Sequence, residues 1–362
     1  MPFVANEVEL SLPRYPSQDL LRFATALLER AGLDHEKSRT VAEVLLEGDL
    51  LGHDTHGLHL LAPYLKELEQ GTMERNGGPR VVHDKPAAMT WDGRRLPGPW
   101  LVVQAIEQAL PRARELGVCS VAIRRSHHIA CLAAYLERVT REGLAILLTS
   151  SDPNNRGVAP HGGRRGVYTP NPIAAGWPTQ GDPVLIDVSM SISTNGMTMR
   201  LRSEGRKFPG QWMIDAEGNP TDDPSVSQAD PPGALLPLGG IEAGHKGYAL
   251  GLLVEMLTQG LAGDGRADPQ EGWCANVFLE IFDPAAFAGY DDFVRQTGFL
   301  AAACRATPPR PGFDQVRLPG ERALRRREEQ LRDGIGLHAS IMPALAPWAD
   351  KLRIAMPAPL AS

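Results

Sequence analysis

Residues 119–151 read CSVAIRRSHHIACLAAYLERVTREGLAILLTSS, and this stretch decides the fold class. Cys119–Arg125 alternates apolar and other residues, the period-two pattern of a half-buried strand. From Cys131 onward apolar residues recur three and four apart until Gly143, as in an amphipathic helix closed by glycine. Leu144–Ser151 is strand-like again, and strand, helix, strand in succession argues for an α/β core. His127 and His128 stand at the first strand-to-helix junction. Ligands of α/β proteins gather at such carboxyl ends of strands, beside the free amides of a helix start. One solvent-facing and one space-filling histidine would give the same pair, so position alone assigns no role.

Working outward, SQDLLRFATALLERAG (17–32) opens on a serine cap signal and closes at Gly32, and EKSRTVAEVLLEGDLLG (36–52) repeats the apolar spacing, which predicts two packed helices. AAMTWDG (87–93) and PWLVVQAIEQALPRARELG (99–117) extend the strand and helix alternation backward from Cys119. Residues 152–245 are rich in Gly, Pro and Asn and read as long loops around one buried strand, VLIDVSMS (184–191). HKGYALGLLVEMLTQGLAG (245–263) predicts a long helix, NVFLEIFDP (276–284) a strand, and the chain returns to helix near its end.

The chain has 362 residues, 43% of them hydrophobic, enough to bury a large core. Its net charge of -6 leaves no basic footprint for nucleic acid, and the run LRRREEQLR (324–332) reads as a solvated helix face. No stretch approaches the roughly 20 apolar residues of a membrane span, and MPFVANEVELSLPRYP lacks a charged-then-apolar leader pattern, so a cytoplasmic location without membrane partners is expected. Cys119, Cys131, Cys274 and Cys304 have no metal-clip or disulfide-frame spacing and read as reduced core residues.

Three groups of residues are candidates for chemistry. GHDTHGLH (52–59) carries His53, His56 and His59. On a helix His59 would lie about two-thirds of a turn from His53, Gly57 loosens the segment, and no HExxH arrangement is present. No metal site is therefore assigned, and a metal-dependent hydrolase using these histidines stands as an alternative class. In the second group, Asp152 follows the strand after His128. If the two strands are parallel neighbours, Asp152 is placed to fix the His128 tautomer and support its charged form. The third group is what a nicotinamide enzyme would use. GxGxxG is absent, which disfavours the Rossmann fold. TPNP (169–172), LID (185–187) and GHKG (244–247) lie at strand or helix edges instead, and Lys246 either reaches a phosphate at a helix start or is a plain surface lysine.

Together these stretches resemble the type-2 malate/L-lactate dehydrogenases, the group that includes sulfolactate and ureidoglycolate dehydrogenases. The resemblance is carried by GHDTHG, SHHI, SDP (151–153), NPIA (171–174), LID, DAEGNPTDDP, LLPLGG, HKGYAL and LPGE (318–321), in order from about residue 15 to 345. It implies an α/β fold distinct from the Rossmann type, with a mixed sheet flanked by helices. A helical subdomain of residues 1–75 would be joined by C-terminal helices in 320–362, and residues 76–319 would form the cofactor-binding and catalytic domain. It further implies a homodimer, a nicotinamide cofactor, and a 2-hydroxy or 2-oxo acid as the small-molecule partner. Carried over by position, His128 is the catalytic acid/base, Asp152 its partner, and Thr55 and His56 belong to the catalytic motif. Ser151, Asn171, Asp187 and Lys246 fall on cofactor-contacting positions. An acidic Asp187 at the adenosine ribose would favour NAD over NADP.

The chain departs from the family pattern at Ile129-Ala130, at Thr169-Pro170 and at Leu60. Leu60 stands where relatives place an arginine for the substrate carboxylate. With Leu58 and Leu61 it predicts an apolar pocket that favours larger 2-oxo acids. A cyclic imino-acid reductase is the alternative within the oxidoreductases.

Overall fold

The computed structural model describes residues 12–360. In chain order the elements are β1 (Arg14–Tyr15), α1 (Ser17–Arg30), α2 (His35–Leu50), α3 (Leu61–Gln70), β2 (Arg80–Lys85), β3 (Ala88–Asp92), α4 (Gly98–Leu116), β4 (Val118–Ser126), α5 (Ala133–Thr140), β5 (Ala145–Ser151), β6 (Ile173–Trp177) and β7 (Val184–Val188). There follow α6 (Asn195–Ser203), β8 (Met213–Ile214), β9 (Pro220–Thr221), β10 (Ala234–Leu235), α7 (Gly240–Glu255), β11 (Ala275–Phe282), α8 (Tyr290–Ala306), α9 (Glu321–Asp333), β12 (Ile335–Gly336) and α10 (Ile341–Leu352). Ser17 is the first helical residue of α1 rather than its cap, which is Pro16. α2 carries the side-chain cap, with Asp34 accepting from the Lys37 amide.

Seven strands form one mixed sheet in the order β2-β3-β4-β11-β5-β6-β7. Only β3 and β4 run parallel, and every other neighbouring pair is antiparallel. β11 comes late in the chain yet lies between β4 and β5, pairing antiparallel with both. The strands ending at His128 and Asp152 are therefore not neighbours, and at about 4.8 Å per strand their ends stand roughly 10 Å apart across the sheet. No local pattern announces this insertion, because β11 is brought in from more than a hundred residues away.

The two faces follow the strand period of two. Val277, Leu279 and Ile281 of β11, with Val121 and Ile123 of β4, join the main core, which also holds Leu101 and Ile106 of α4 and Leu136 and Val139 of α5. Ala122 and Phe278 face the other way, against Leu257 and Ala262 beyond α7. The main core continues through Leu27, Leu45, Leu65 and Leu345 of α1, α2, α3 and α10, so the helices from both chain ends and the sheet share one apolar interior. Residues 158–235 hold a separate small cluster, Val158, Tyr168, Leu201, Phe208, Met213 and Leu235, around the three-stranded sheet β10-β8-β9. The segment that reads as loops thus contains β6, α6 and this small sheet.

α7 is inverted relative to an ordinary surface helix. Gly240, Gly244, Gly247 and Gly251 are buried, while Ile241, Leu250, Leu252 and Leu253 are exposed. The glycines allow close approach: a Cβ on Gly247 would lie 2.5 Å from the Leu238 amide nitrogen. After Glu255 the helix widens into one π turn, Met256–Gly260. Among the described residues no helix is long and apolar enough to cross a membrane.

Candidate active site

β4 ends in irregular backbone, with Arg125 and Ala130 at positive φ on either side of the histidine pair. α4 starts directly against that turn, and a Cβ on Gly98 would stand 2.3 Å from the His127 carbonyl oxygen. Glycine is required there by contact, not by φ.

The two histidines face different surroundings. His127 is 0% exposed, with Nε2 3.4 Å from the Glu67 carboxylate and Nδ1 without a partner. Burial lowers its pKa against the pull of Glu67, so it is a neutral core imidazole. The hydrogen bond from His127 in turn holds Glu67 down to about 2. His128 is half-buried and stacks on Trp273 at 4.5 Å between centroids, with His56 at 6.0 Å. The Tyr64 hydroxyl lies 2.9 Å from His128 Nδ1 and donates to the His128 carbonyl at 3.1 Å. The Ala130 amide donates toward Nδ1 at 3.3 Å. The Tyr64 and Ala130 contacts both fall on Nδ1, which leaves Nε2 free. Nε2 makes no hydrogen bond to the described residues. Burial, then His56 and His127, push His128 well below the ordinary imidazole pKa. These surroundings favour the neutral ring.

Thr55 and His56 lie in the turn after α2, with Thr55 Oγ1 2.9 Å from His56 Nδ1. Burial lowers His56 to about 4. The turn is braced from beneath by Asp49, 4% exposed, which accepts the Leu58 amide at 2.7 Å and touches Gly57 so closely that a Cβ there would be 2.3 Å from its carboxyl carbon. The start of α6 covers the turn, with Gly196 against Thr55 and Arg200 2.9 Å from Asp54. His53, His56 and His59 do not converge as a ligand set. His53 points to Cys131 and Asp187, His56 to Thr55 and His128, and His59 is exposed.

Asp152 does not reach His128 among the described contacts. Its carboxylate accepts the Asn154 and Asn155 amides at 2.8 and 3.2 Å and the Cys274 thiol at 3.8 Å, and burial raises its pKa. The intervening β11 explains the correction, since its lead-in places Trp273 on His128 and Cys274 on Asp152. Tyr64, and not Asp152, contacts His128 Nδ1. Tyr64 and Trp273 both escaped sequence reasoning. Tyr64 falls in the Leu61, Tyr64, Leu65, Leu68 spacing of an ordinary apolar helix face, and nothing local marks Trp273.

The four cofactor candidates do not share one surface. Ser151 is 2% exposed, its hydroxyl 2.7 Å from Thr258 and 3.1 Å from Gln259 on the π turn. Asn171, 0% exposed and at φ 48, donates to Gly251 O at 3.0 Å and to Glu255 at 2.9 Å. Glu255 also pairs with Arg266 at 2.8 Å, and Arg266 donates to the Asp152 and Asn155 carbonyls at 2.9 and 2.5 Å. Asp187 lies toward α5, accepting the Ala133 amide at 2.9 Å. Lys246 is exposed on α7, without an ion pair among the described residues. Two features fit a nicotinamide dinucleotide. The buried Asn171 Oδ1 has no partner and would accept from a carboxamide, and Lys246 would meet a pyrophosphate.

The sequence profile of the family described as malate/L-lactate dehydrogenase matches residues 15–346. An L-lactate dehydrogenase of Cupriavidus necator is 34% identical over 325 residues, 88% of this chain and 91% of that protein. A (2R)-3-sulfolactate dehydrogenase (NADP(+)) of Chromohalobacter salexigens is 35% identical, covering 84% of this chain and 89% of that one. Malate dehydrogenase from Entamoeba histolytica superposes with a TM-score of 0.90 over 96% of this chain and 100% of that one, at 22% identity, a likeness of fold.

Proposed function

The chain belongs to the malate/L-lactate dehydrogenase family, and from that premise we propose that it interconverts a 2-hydroxy acid and its 2-oxo partner with His128 moving the proton. It is an oxidoreductase of nicotinamide type, and the bound cofactor supplies the hydride chemistry. The observation that carries the role of His128 is its open Nε2, held by the Tyr64 hydrogen bond and the Trp273 stack. A neutral Nε2 takes the hydroxyl proton as the alcohol is oxidised and returns it on reduction. His56, bonded to Thr55, stands 6.0 Å from His128 between ring centroids, and the unpartnered Asn171 Oδ1 is proposed to accept from the nicotinamide carboxamide. Lys246 is proposed to meet the cofactor phosphates; Asp187, turned to the Ala133 amide and Cys131, gives no ground for choosing between NAD and NADP, which a binding titration with both decides.

The Leu60 expectation is corrected. At 7% exposure Leu60 packs into the main core and lines no opening, so it gives no reason to expect large apolar substrates. Arg200 is the proposed carboxylate anchor instead. It covers the Thr55–His56 turn through Asp54, and its charge adds to the burial that lowers His56 and His59. The exposed apolar row on α7 supports a homodimer, which sedimentation would test.

The function is tested by following reduced-nicotinamide oxidation with pyruvate, oxaloacetate and phenylpyruvate, with a cyclic imino acid as the competing substrate class. Turnover of a 2-oxo acid is expected, and in Arg200→Leu its KM rises by about 10-fold or more, the loss of a charge-assisted hydrogen bond. Turnover of the imino acid alone would overturn the substrate class. An unchanged KM in Arg200→Leu would remove the arginine from the site.

A further inference from the structure

His53, Cys131 and Asp187 come from three distant parts of the chain, the turn after α2, the approach to α5, and β7. Their ligand atoms nevertheless lie within 4.8 Å of one another. Cys131 Sγ stands 3.7 Å from Asp187 Oδ2, and the thiol is 2% exposed. Bonds of about 2.0–2.3 Å to a tetrahedral zinc ion place ligand atoms roughly 3.5 Å apart, so the cluster closes on an ion with small side-chain movements.

We propose that His53, Cys131 and Asp187 form a three-ligand site for a divalent cation of zinc type, with a fourth position open to water. The donor set suits such an ion. Thiolate sulfur and imidazole nitrogen select zinc or cobalt over calcium or magnesium. One thiolate, one carboxylate and a neutral imidazole balance a charge of two, so the loaded site is neutral, the favourable state beside the buried Cys131 sulfur. The Ala133 amide at 2.9 Å from Asp187 Oδ2 orients the carboxylate from outside the metal shell. Capping of α5 explains the position of Asp187 but not the convergence of His53 and Cys131 on it. Loading releases the thiol proton and any proton on the carboxyl, so affinity falls as the solution is acidified. An ion here would tie the catalytic turn, α5 and β7 together.

The site is tested on the whole chain with Co2+ and Zn2+ themselves, without nicotinamide or substrate, so the result does not depend on the proposed reaction. One equivalent of Co2+ is expected to give a sulfur-to-cobalt charge-transfer band that Zn2+ displaces. Cys131→Ser abolishes the band and Cys274→Ser keeps it. His53→Ala, a change on a half-exposed turn that leaves the core intact, and Asp187→Asn each weaken Zn2+ binding by more than the roughly 10–100-fold that loss of an outer-shell partner costs. No thiolate band in the wild-type protein, a band that survives Cys131→Ser, or Zn2+ affinity unmoved in both His53→Ala and Asp187→Asn would each overturn the proposal.

Discussion

Two polar regions flank the end of the central sheet, and they differ in what they leave unfinished. Around His128 the polar atoms are incompletely paired: His127 Nδ1 has no partner, His128 Nε2 is open, and the surroundings are the rings of Tyr64, Trp273 and His56. Around Ser151, Asn171 and Asp152 most groups are consumed by the protein, through Thr258, Gln259, Glu255 and Arg266, and Asn171 Oδ1 is the group left over. Buried polar groups are normally satisfied, and a group held ready without a partner is what reaction chemistry requires. The first region should therefore govern rate, and the second stability.

The largest effect tests the rate side. His128→Ala should lower turnover by about 10²–10⁴, the usual contribution of a positioned acid/base, with the melting temperature little changed. His127→Ala should reverse the pattern, lowering stability through a core cavity while leaving turnover within a few-fold. Equal losses of turnover in the two variants, at equal folded fraction, would erase the distinction between these neighbours.

The stability side is tested at Arg266. It forms a two-point pair with Glu255 at 2.8 and 3.0 Å, with both side chains 17% exposed, and clamps the backbone after β5. Removing one partner of such a pair strands the other, so Arg266→Ala should cost about 3 kcal/mol in denaturant unfolding. If Arg266→Ala unfolds like wild type but loses turnover, the second region belongs to the catalytic machinery.

How much of this was legible in the sequence follows from how local each feature is. α1, α2, β3, α4, β4, α5 and β5 are written in periodicity, α3 and β2 were not read from it, and the family likeness lies in motifs of a few residues. The insertion of β11 between β4 and β5 is a long-range pairing that leaves no local mark, which is why Asp152 was given to His128. Tyr64 was hidden for the opposite reason: its spacing is that of a core residue, and only tertiary contact turns its hydroxyl to His128. α6 was missed because Thr194-Asn195-Gly196 resembles a turn, although Thr194 caps a helix by accepting the Met197 amide.

A smaller effect separates the brace from the site it supports. Asp49 is raised to about 8, by burial first and against the Leu58 hydrogen bond. A carboxyl raised in the folded state holds a proton that the unfolded chain releases, so stability falls as pH rises from the unfolded value toward about 8. His56, lowered to about 4, acts in the opposite sense below and around its unfolded value of 6.5. Near pH 6.5 the unfolded imidazoles are still half protonated, so His56 and the likewise lowered His59, His127 and His128 oppose the Asp49 slope. The Asp49 part, on the order of 1 kcal/mol between pH 7 and 8, is read as the difference between wild type and Asp49→Asn. Chemical denaturation across that window should show wild type losing stability relative to Asp49→Asn as pH rises. The same slope in both would mean that the Asp49 carboxyl is ionised throughout.

The smallest expected effect is at Lys246, where the comparison is sharpest because the residue belongs to neither region. It is exposed on α7, two turns from the helix start, with no ion pair among the described residues. A lysine that meets a phosphate acts equally on the ground and transition states, so its loss appears in binding and not in the chemical step. Exposed charge contacts contribute at most about 1 kcal/mol, and the KM for the nicotinamide cofactor in Lys246→Ala should therefore rise about 3- to 5-fold with kcat unchanged. The difference should shrink as salt is added, because a contact open to solvent is screened over the Debye length of about 10 Å at 0.1 M. A salt-independent rise would point to packing of the lysine stem, and a fall in kcat would place Lys246 with His128 among the residues that set the rate.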